Sequence, residues 1–127
     1  MKALSDLYMK KQKTVLVADD DEMVRKFLFD VLRLHGFDVQ AANDGVSALD
    51  LLKASDFDIV ITDYAMPGMN GIELTKIMRS QCPHSLIIGI SADCDERVFL
   101  DAGADAFLHK PFYIHDLLTV IRQKMPC

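Results

Sequence analysis

Residues 59–71 read IVITDYAMPGMNG, and the fold follows from how this stretch is understood. Ile59, Val60 and Ile61 are apolar and β-branched, in a run too short for a helix of its own. A strand buried on both faces of a parallel sheet has this signature, because helices cover it above and below and no polar alternation is needed. The run passes straight into Asp63, and MPG followed by MNG then breaks the chain with turn chemistry. An aspartate just past the carboxyl end of a central strand stands where open α/β sheets gather their ligands. A lone aspartate in such a place is ordinarily a cap or turn acid, so its meaning depends on what the other strands bring beside it.

Upstream, Thr14–Ala18 (TVLVA) predicts a first buried strand that ends in Asp19, Asp20 and Asp21, the last placed to cap a helix. Val24, Phe27, Leu28, Val31 and Leu32 recur at i, i+3, i+4, i+7 and i+8, the apolar face of an amphipathic helix. Gly36 stops it. Phe37–Ala42 alternates like a strand near a sheet edge. Asn43–Asp44–Gly45 forms a turn and cap, and Val46, Ala48, Leu49 and Leu52 mark a second helix ending near Lys53–Ala54. Downstream, Gly71–Gln81 predicts a third helix through Ile72, Leu74, Ile77 and Met78, and Pro83 bars its continuation. Leu86–Ile90 is a fourth buried strand with Ser91 at its end. Asp95–Asp101 reads as a short helix closed by Ala102–Gly103, and Ala104–Leu108 as a fifth strand leading to His109–Lys110–Pro111. Ile114, Leu117, Leu118 and Ile121 mark a last helix running to about Lys124.

Strands alternating with helices imply right-handed crossovers and a parallel sheet covered on both faces. The expected architecture is a flavodoxin-like (βα)5 three-layer sandwich with strand order 2-1-3-4-5. Residues 14–125 make one domain, preceded by a tail, residues 1–13, that carries four lysines and few large apolar groups.

Composition narrows the class. At 127 residues the chain can bury a single core without staples. Its net charge of −5 argues against a nucleic-acid surface. Cys82, Cys94 and Cys127, widely spaced and odd in number, suit neither a disulfide frame nor a zinc knuckle, and are read as reduced thiols of a cytoplasmic protein. No apolar run approaches the roughly 18 residues that would cross a bilayer, and MKALSDLYMKKQK lacks the apolar core of a signal peptide. Neither a membrane nor an export route is expected. The histidines His35, His84, His109 and His115 show no ligand spacing, Cys94 has no neighbour that would activate it, and Met66, Met69 and Met78 read as turn and core packing.

In this topology every strand points its carboxyl end at one rim. That rim collects Asp19 and Asp20 from the first strand, Asp63 from the third, Ser91 from the fourth and Lys110 from the fifth. Three carboxylates so close repel, raising a pKa unless a cation shares the site. Oxygen donors with open positions suit Mg²⁺, which takes one or two carboxylates, waters and a phosphate. A carboxylate can also act as nucleophile and become an aspartyl phosphate. Lys110 offers a point charge to phosphoryl oxygens and Ser91 a short hydroxyl donor. Phosphoryl transfer asks for little beyond in-line positioning and charge neutralisation, and these five side chains can provide both. Taken singly, Asp19 and Asp20 are cap acids, Lys110 a loop lysine and Ser91 a turn residue; the set is what carries meaning.

The patterns VLVADD, ITDYAMPGMNG, GISA and LHKPF, in this order and spacing, resemble the receiver domain of two-component response regulators over nearly the whole chain from Thr14. The resemblance implies that Asp63 is the phosphoacceptor, taking a phosphoryl group from the phosphohistidine of a sensor histidine kinase or a histidine phosphotransfer protein. It implies Mg²⁺ held by Asp20, Asp63 and the backbone carbonyl of Ala65, with Asp19 acting through water. Lys110 and Ser91 would contact the phosphate, and the peptide before Pro111 is expected to be cis. Phe107 falls at the switch aromatic and would turn inward as Ser91 moves, reshaping the surface of fourth helix, fifth strand and fifth helix for a downstream effector or output domain. By usual classification such a domain is not an enzyme, although it catalyses its own aspartyl phosphorylation and dephosphorylation. A phosphorylation-dependent dimer is compatible with it. Phe107 lacks the hydroxyl of the tyrosine often found there, Ser91 stands where threonine is common, and Ala65 and Asp93 occupy positions that tune dephosphorylation.

Two other classes compete. A metal-dependent phosphatase with an aspartyl nucleophile needs a second acid just after it, and Ala65 stands there. A flavin or nucleotide binder needs a Ser/Thr/Gly-rich loop after the first strand, where this chain has DDDE.

Overall fold

The structure, a computed structural model, describes residues 12–93 and 96–125. Among these the chain alternates five strands with five helices: β1 (Thr14–Ala18), α1 (Glu22–Leu34), β2 (Asp38–Ala42), α2 (Gly45–Ala54), β3 (Ile59–Asp63), α3 (Gly71–Gln81), β4 (Leu86–Ser91), α4 (Glu96–Ala102), β5 (Ala106–His109) and α5 (Ile114–Lys124). All pairings are parallel and the order is β2-β1-β3-β4-β5, the flavodoxin-like arrangement expected from the alternation. No helix among the described residues is long and apolar enough to cross a membrane.

The three layers follow from the two-residue period of the strands. Val15, Val17, Ile59, Ile61, Ile88 and Ile90 face α1 and α5, where Leu28, Leu32, Leu117, Leu118 and Ile121 meet them. Leu16, Ala18, Val60 and Ile87 face the other way, against Ala48 of α2, Leu74 and Met78 of α3 and Phe99 of α4. β1, β3 and β4 are buried along nearly their whole length, whereas β2 buries only Val39 and Ala42 and β5 is only half-buried. The central strands therefore have to be apolar throughout, and the outer ones do not.

Caps set where each helix starts. The Asp21 carboxylate accepts from the Met23 and Val24 amides, Asp44 from Ser47 and Asn70 from Glu73, each meeting amides that the first helical turn leaves unpaired. Gly36 ends the α1 connection at φ +92°.

Several expectations need correcting. Phe27 and Val46 are half-exposed, 50% and 54%, rather than on the buried faces of α1 and α2. Phe29 packs against the core instead of Phe27, with Arg33 over its ring. α4 begins at Glu96, and Asp95 lies outside the described residues. β5 starts at Ala106, not Ala104: the Ala104 amide bonds back to Phe99 and the Asp105 amide to Ile87, which finishes the α4 turn before pairing begins. The tail to residue 11, Cys94 and Cys127 also lie outside the described residues.

Candidate functional site

Backbone hydrogen bonds bring the strand ends to a common rim. The Asp19 amide donates to the Ala42 carbonyl, the Tyr64 amide to Ile90 and the Lys110 amide to Ser91. The loops after β1, β3 and β5 are thus each tied to a neighbouring strand at the point where the functional side chain emerges. The Lys110–Pro111 peptide is cis, as the resemblance implied.

One carboxylate oxygen from each of Asp19, Asp20 and Asp63 lies within 4.8 Å of the others. Asp19 is fully buried, Asp63 nearly so, and Asp20 is exposed. The Lys110 ammonium sits between the buried pair, 2.7 Å from Asp19 Oδ2 and 3.3 Å from Asp63 Oδ1. The other Asp19 oxygen accepts the Asp21 amide at 2.9 Å. The lysine is thus nearer Asp19 than the phosphoacceptor candidate, a preference that the one-dimensional order could not show.

Electrostatics follow from this crowding. Burial, and next the Asp19 charge, push the Asp63 carboxyl up to about 6, against the opposing pull of Lys110. Burial works against the Lys110 ammonium, yet its bond to Asp19 and the charges of both carboxylates outweigh that and hold its pKa above the ordinary lysine value. Two buried acids with one half-buried base leave the pocket net negative, and Asp20 adds a third carboxylate at its mouth. Hard oxygen donors converging on one point with a surplus of negative charge are a donor set that fits Mg²⁺.

Ser91 is buried at the end of β4, and its hydroxyl oxygen accepts the Asp93 amide at 3.1 Å. Phe107 is half-buried on β5, its ring centroid 5.7 Å from that of Phe99. Ala65 is exposed in the loop after Asp63. That loop returns to the sheet through the Gly71 amide, which bonds to the Tyr64 carbonyl. Gly71 packs so tightly that a Cβ there would overlap the Asp63 carbonyl oxygen, so the MNG segment serves to bring α3 against the backbone of Asp63.

One contact was not anticipated from the residue order. Arg25, in the first turns of α1, donates from Nη1 to the Asp19 carbonyl at 2.8 Å. Its signal in the sequence is weak: a cation four residues after the cap acid Asp21, at the end of a helix that favours acids.

The family model for the response regulator receiver domain matches residues 15–122. Response regulator MprA of Mycobacterium sp. (strain KMS) is 41% identical over 111 residues, 85% of this chain and 48% of that protein. MprA of Mycobacterium leprae (strain TN) is 40% identical over 111 residues, covering 85% of this chain and 49% of its own. The chain thus spans about half the length of the curated relatives it matches. Among solved structures, the Francisella response regulator 1452 receiver domain superposes with a TM-score of 0.82 at 34% identity, over 89% of this chain and 96% of that one. TrrA from Thermotoga maritima, solved in complex with Mg²⁺ and BeF, does so with a TM-score of 0.82 at 29% identity, over 90% of this chain and all of that one.

Proposed function

The chain belongs to the response regulator receiver domain family, and from that premise we propose that it is a phosphorylation-operated switch with Asp63 as phosphoacceptor. The observation that carries this reading is the placing of one ammonium, Lys110, within 2.7 Å and 3.3 Å of two buried carboxylates beside a third.

An oxygen of the Asp63 carboxylate attacks the phosphorus of a phosphohistidine. The new O–P bond forms as the P–N bond breaks, and its electron pair returns to the imidazole of the donor. Asp20, Asp63 and the Ala65 carbonyl would hold Mg²⁺, with Asp19 behind them through water. Bound there, the ion supplies neutralisation of the carboxylates and of the transferring oxygens. Lys110 leaves Asp63 for the incoming phosphoryl oxygens while keeping Asp19 as its counter-ion, and the Ser91 hydroxyl donates to another of them. The same pocket would return the group to water, so the domain catalyses its own phosphorylation and dephosphorylation. That TrrA, similar along nearly the whole chain, was solved with Mg²⁺ and BeF supports the choice of ion.

The donor is a histidine kinase or a histidine phosphotransfer protein, and the exchange belongs to the cytoplasm. Beside Lys110 opens an apolar groove of about 470 Å³ lined by Met23, Val24, Phe27, Leu28, Pro111 and Phe112, on which a helix of the donor can lie. The outgoing signal passes through Ser91 and Phe107 to the α4-β5-α5 surface, where Val98, Leu100 and Tyr113 are exposed, and from there to an effector or output domain.

Incubation with acetyl phosphate and Mg²⁺ should add one phosphoryl group by mass, removable with hydroxylamine, and Asp63→Asn should not be labelled. Equal labelling of the variant would move the chemistry elsewhere.

A further inference from the structure

Arg25 stands where a helix disfavours it. The amino-terminal end of α1 carries the positive pole of the helix dipole, and Asp21 and Glu22 already supply the charges that end prefers. The arginine side chain points back along the helix, as helical side chains do, and spends Nη1 on the carbonyl of Asp19, six residues earlier. That carbonyl belongs to the peptide plane joining Asp19 to Asp20. Asp19 is otherwise held by its amide on Ala42 and by its two carboxylate oxygens on Asp21 and Lys110, so its side of the plane is fixed. Asp20 is exposed, and the orientation of its carboxylate depends on the plane from which it projects. Arg25 secures that plane from the carbonyl side. Because it bonds to a carbonyl rather than a carboxylate, it places a positive charge behind the acids without occupying an oxygen that a cation needs.

We infer that Arg25 is a positioning residue for the divalent cation, acting through the Asp19–Asp20 peptide; this rests on the functional reading above. Groups that orient metal ligands from behind typically change affinity by about 10–100-fold when removed. Calorimetric titration of the whole chain with Mg²⁺ should therefore show Arg25→Gln binding roughly tenfold or more weakly than the wild type. Arg25→Lys, which keeps the charge and one donor, should recover most of the loss. Labelling by acetyl phosphate should need more Mg²⁺ in Arg25→Gln but reach the wild-type rate at saturation, separating ion binding from chemistry. Unchanged Mg²⁺ affinity in a folded Arg25→Gln, with only the melting temperature lowered, overturns the proposal and reduces Arg25 to a structural strut. A maximal rate that stays low at saturating Mg²⁺ also overturns it, since the residue would then act on the transfer itself. If the wild type binds no Mg²⁺, the functional reading fails first and this inference goes with it.

Discussion

Asp63 is buried beside Asp19, and both burial and that neighbour resist its ionisation. Its carboxyl therefore holds a proton up to about 6 instead of the ordinary 3.8. The sign for stability follows: the folded state binds this proton more tightly than the unfolded chain, so the contribution from Asp63 falls as pH rises through the window between those values. A divalent cation held by Asp63, as proposed, would compete with the same proton. The melting temperature gained on adding Mg²⁺ should accordingly be small near pH 5 and grow through about pH 7; a gain independent of pH would mean that the ion does not meet Asp63. Gly71 makes a steric prediction at the same scale. Gly71→Ala drives a Cβ into the Asp63 carbonyl, and overpacking of this kind costs about 1–3 kcal/mol. Urea unfolding should report that loss, and, with Asp63 as the proposed phosphoacceptor, labelling should slow at saturating Mg²⁺ because the peptide of Asp63 has to shift.

Among the elements, the carboxyl end of α3 is tied to two loops by one side chain. Arg79 donates from Nε to the Gly103 carbonyl, from Nη1 to Pro83 and Ser85, and from Nη2 to Asp105. Asp105 in turn accepts the Ile87 amide, so the knot joins α3, the start of β4 and the start of β5 at the pole opposite the acids. Removing it leaves the half-buried Gly103 and Ser85 carbonyls to find new partners, roughly 1–3 kcal/mol by the usual cost of such groups, while the exposed Pro83 carbonyl and Asp105 carboxylate turn to water. Arg79→Ala should lower the unfolding free energy measured in urea by that amount while leaving Mg²⁺ affinity unchanged, and a parallel loss of Mg²⁺ binding would show the two poles to be coupled. Element boundaries were legible where a local signal existed: Asp21 and Asp44 cap the helices that follow them, and the MNG turn before α3 proves to carry a cap as well, at Asn70. They were misplaced where tertiary contacts decided. β5 starts two residues later than its apolar run, since Ala104 and Asp105 spend their amides on Phe99 and Ile87.

For the whole molecule, the question is how a partner finds the rim. Phe27 is half-exposed on the groove beside Lys110, which is why the apolar period of α1 overcounted its buried face. Phe27→Glu should leave stability and labelling by acetyl phosphate close to wild type, because the side chain sits outside both core and acid pocket. Phosphotransfer from a donor protein's phosphohistidine should fall by about tenfold or more, the effect of losing a buried aromatic anchor worth upwards of 1.4 kcal/mol. Equal losses with both phosphodonors would show that the groove serves the chemistry and not docking.

The order of strands and helices and the meeting of Asp19, Asp20, Asp63 and Lys110 at one rim were readable along the chain, because parallel α/β topology sends every strand's carboxyl end to the same side and apolar periodicity marks the elements. Which carboxylate holds the lysine more closely, which phenylalanine of α1 is buried and which arginine steadies the acids were decided only by tertiary structure. Each of these depends on distances between residues far apart in the chain, or on a side chain's reach within a packed corner, and neither hydropathy nor spacing encodes them.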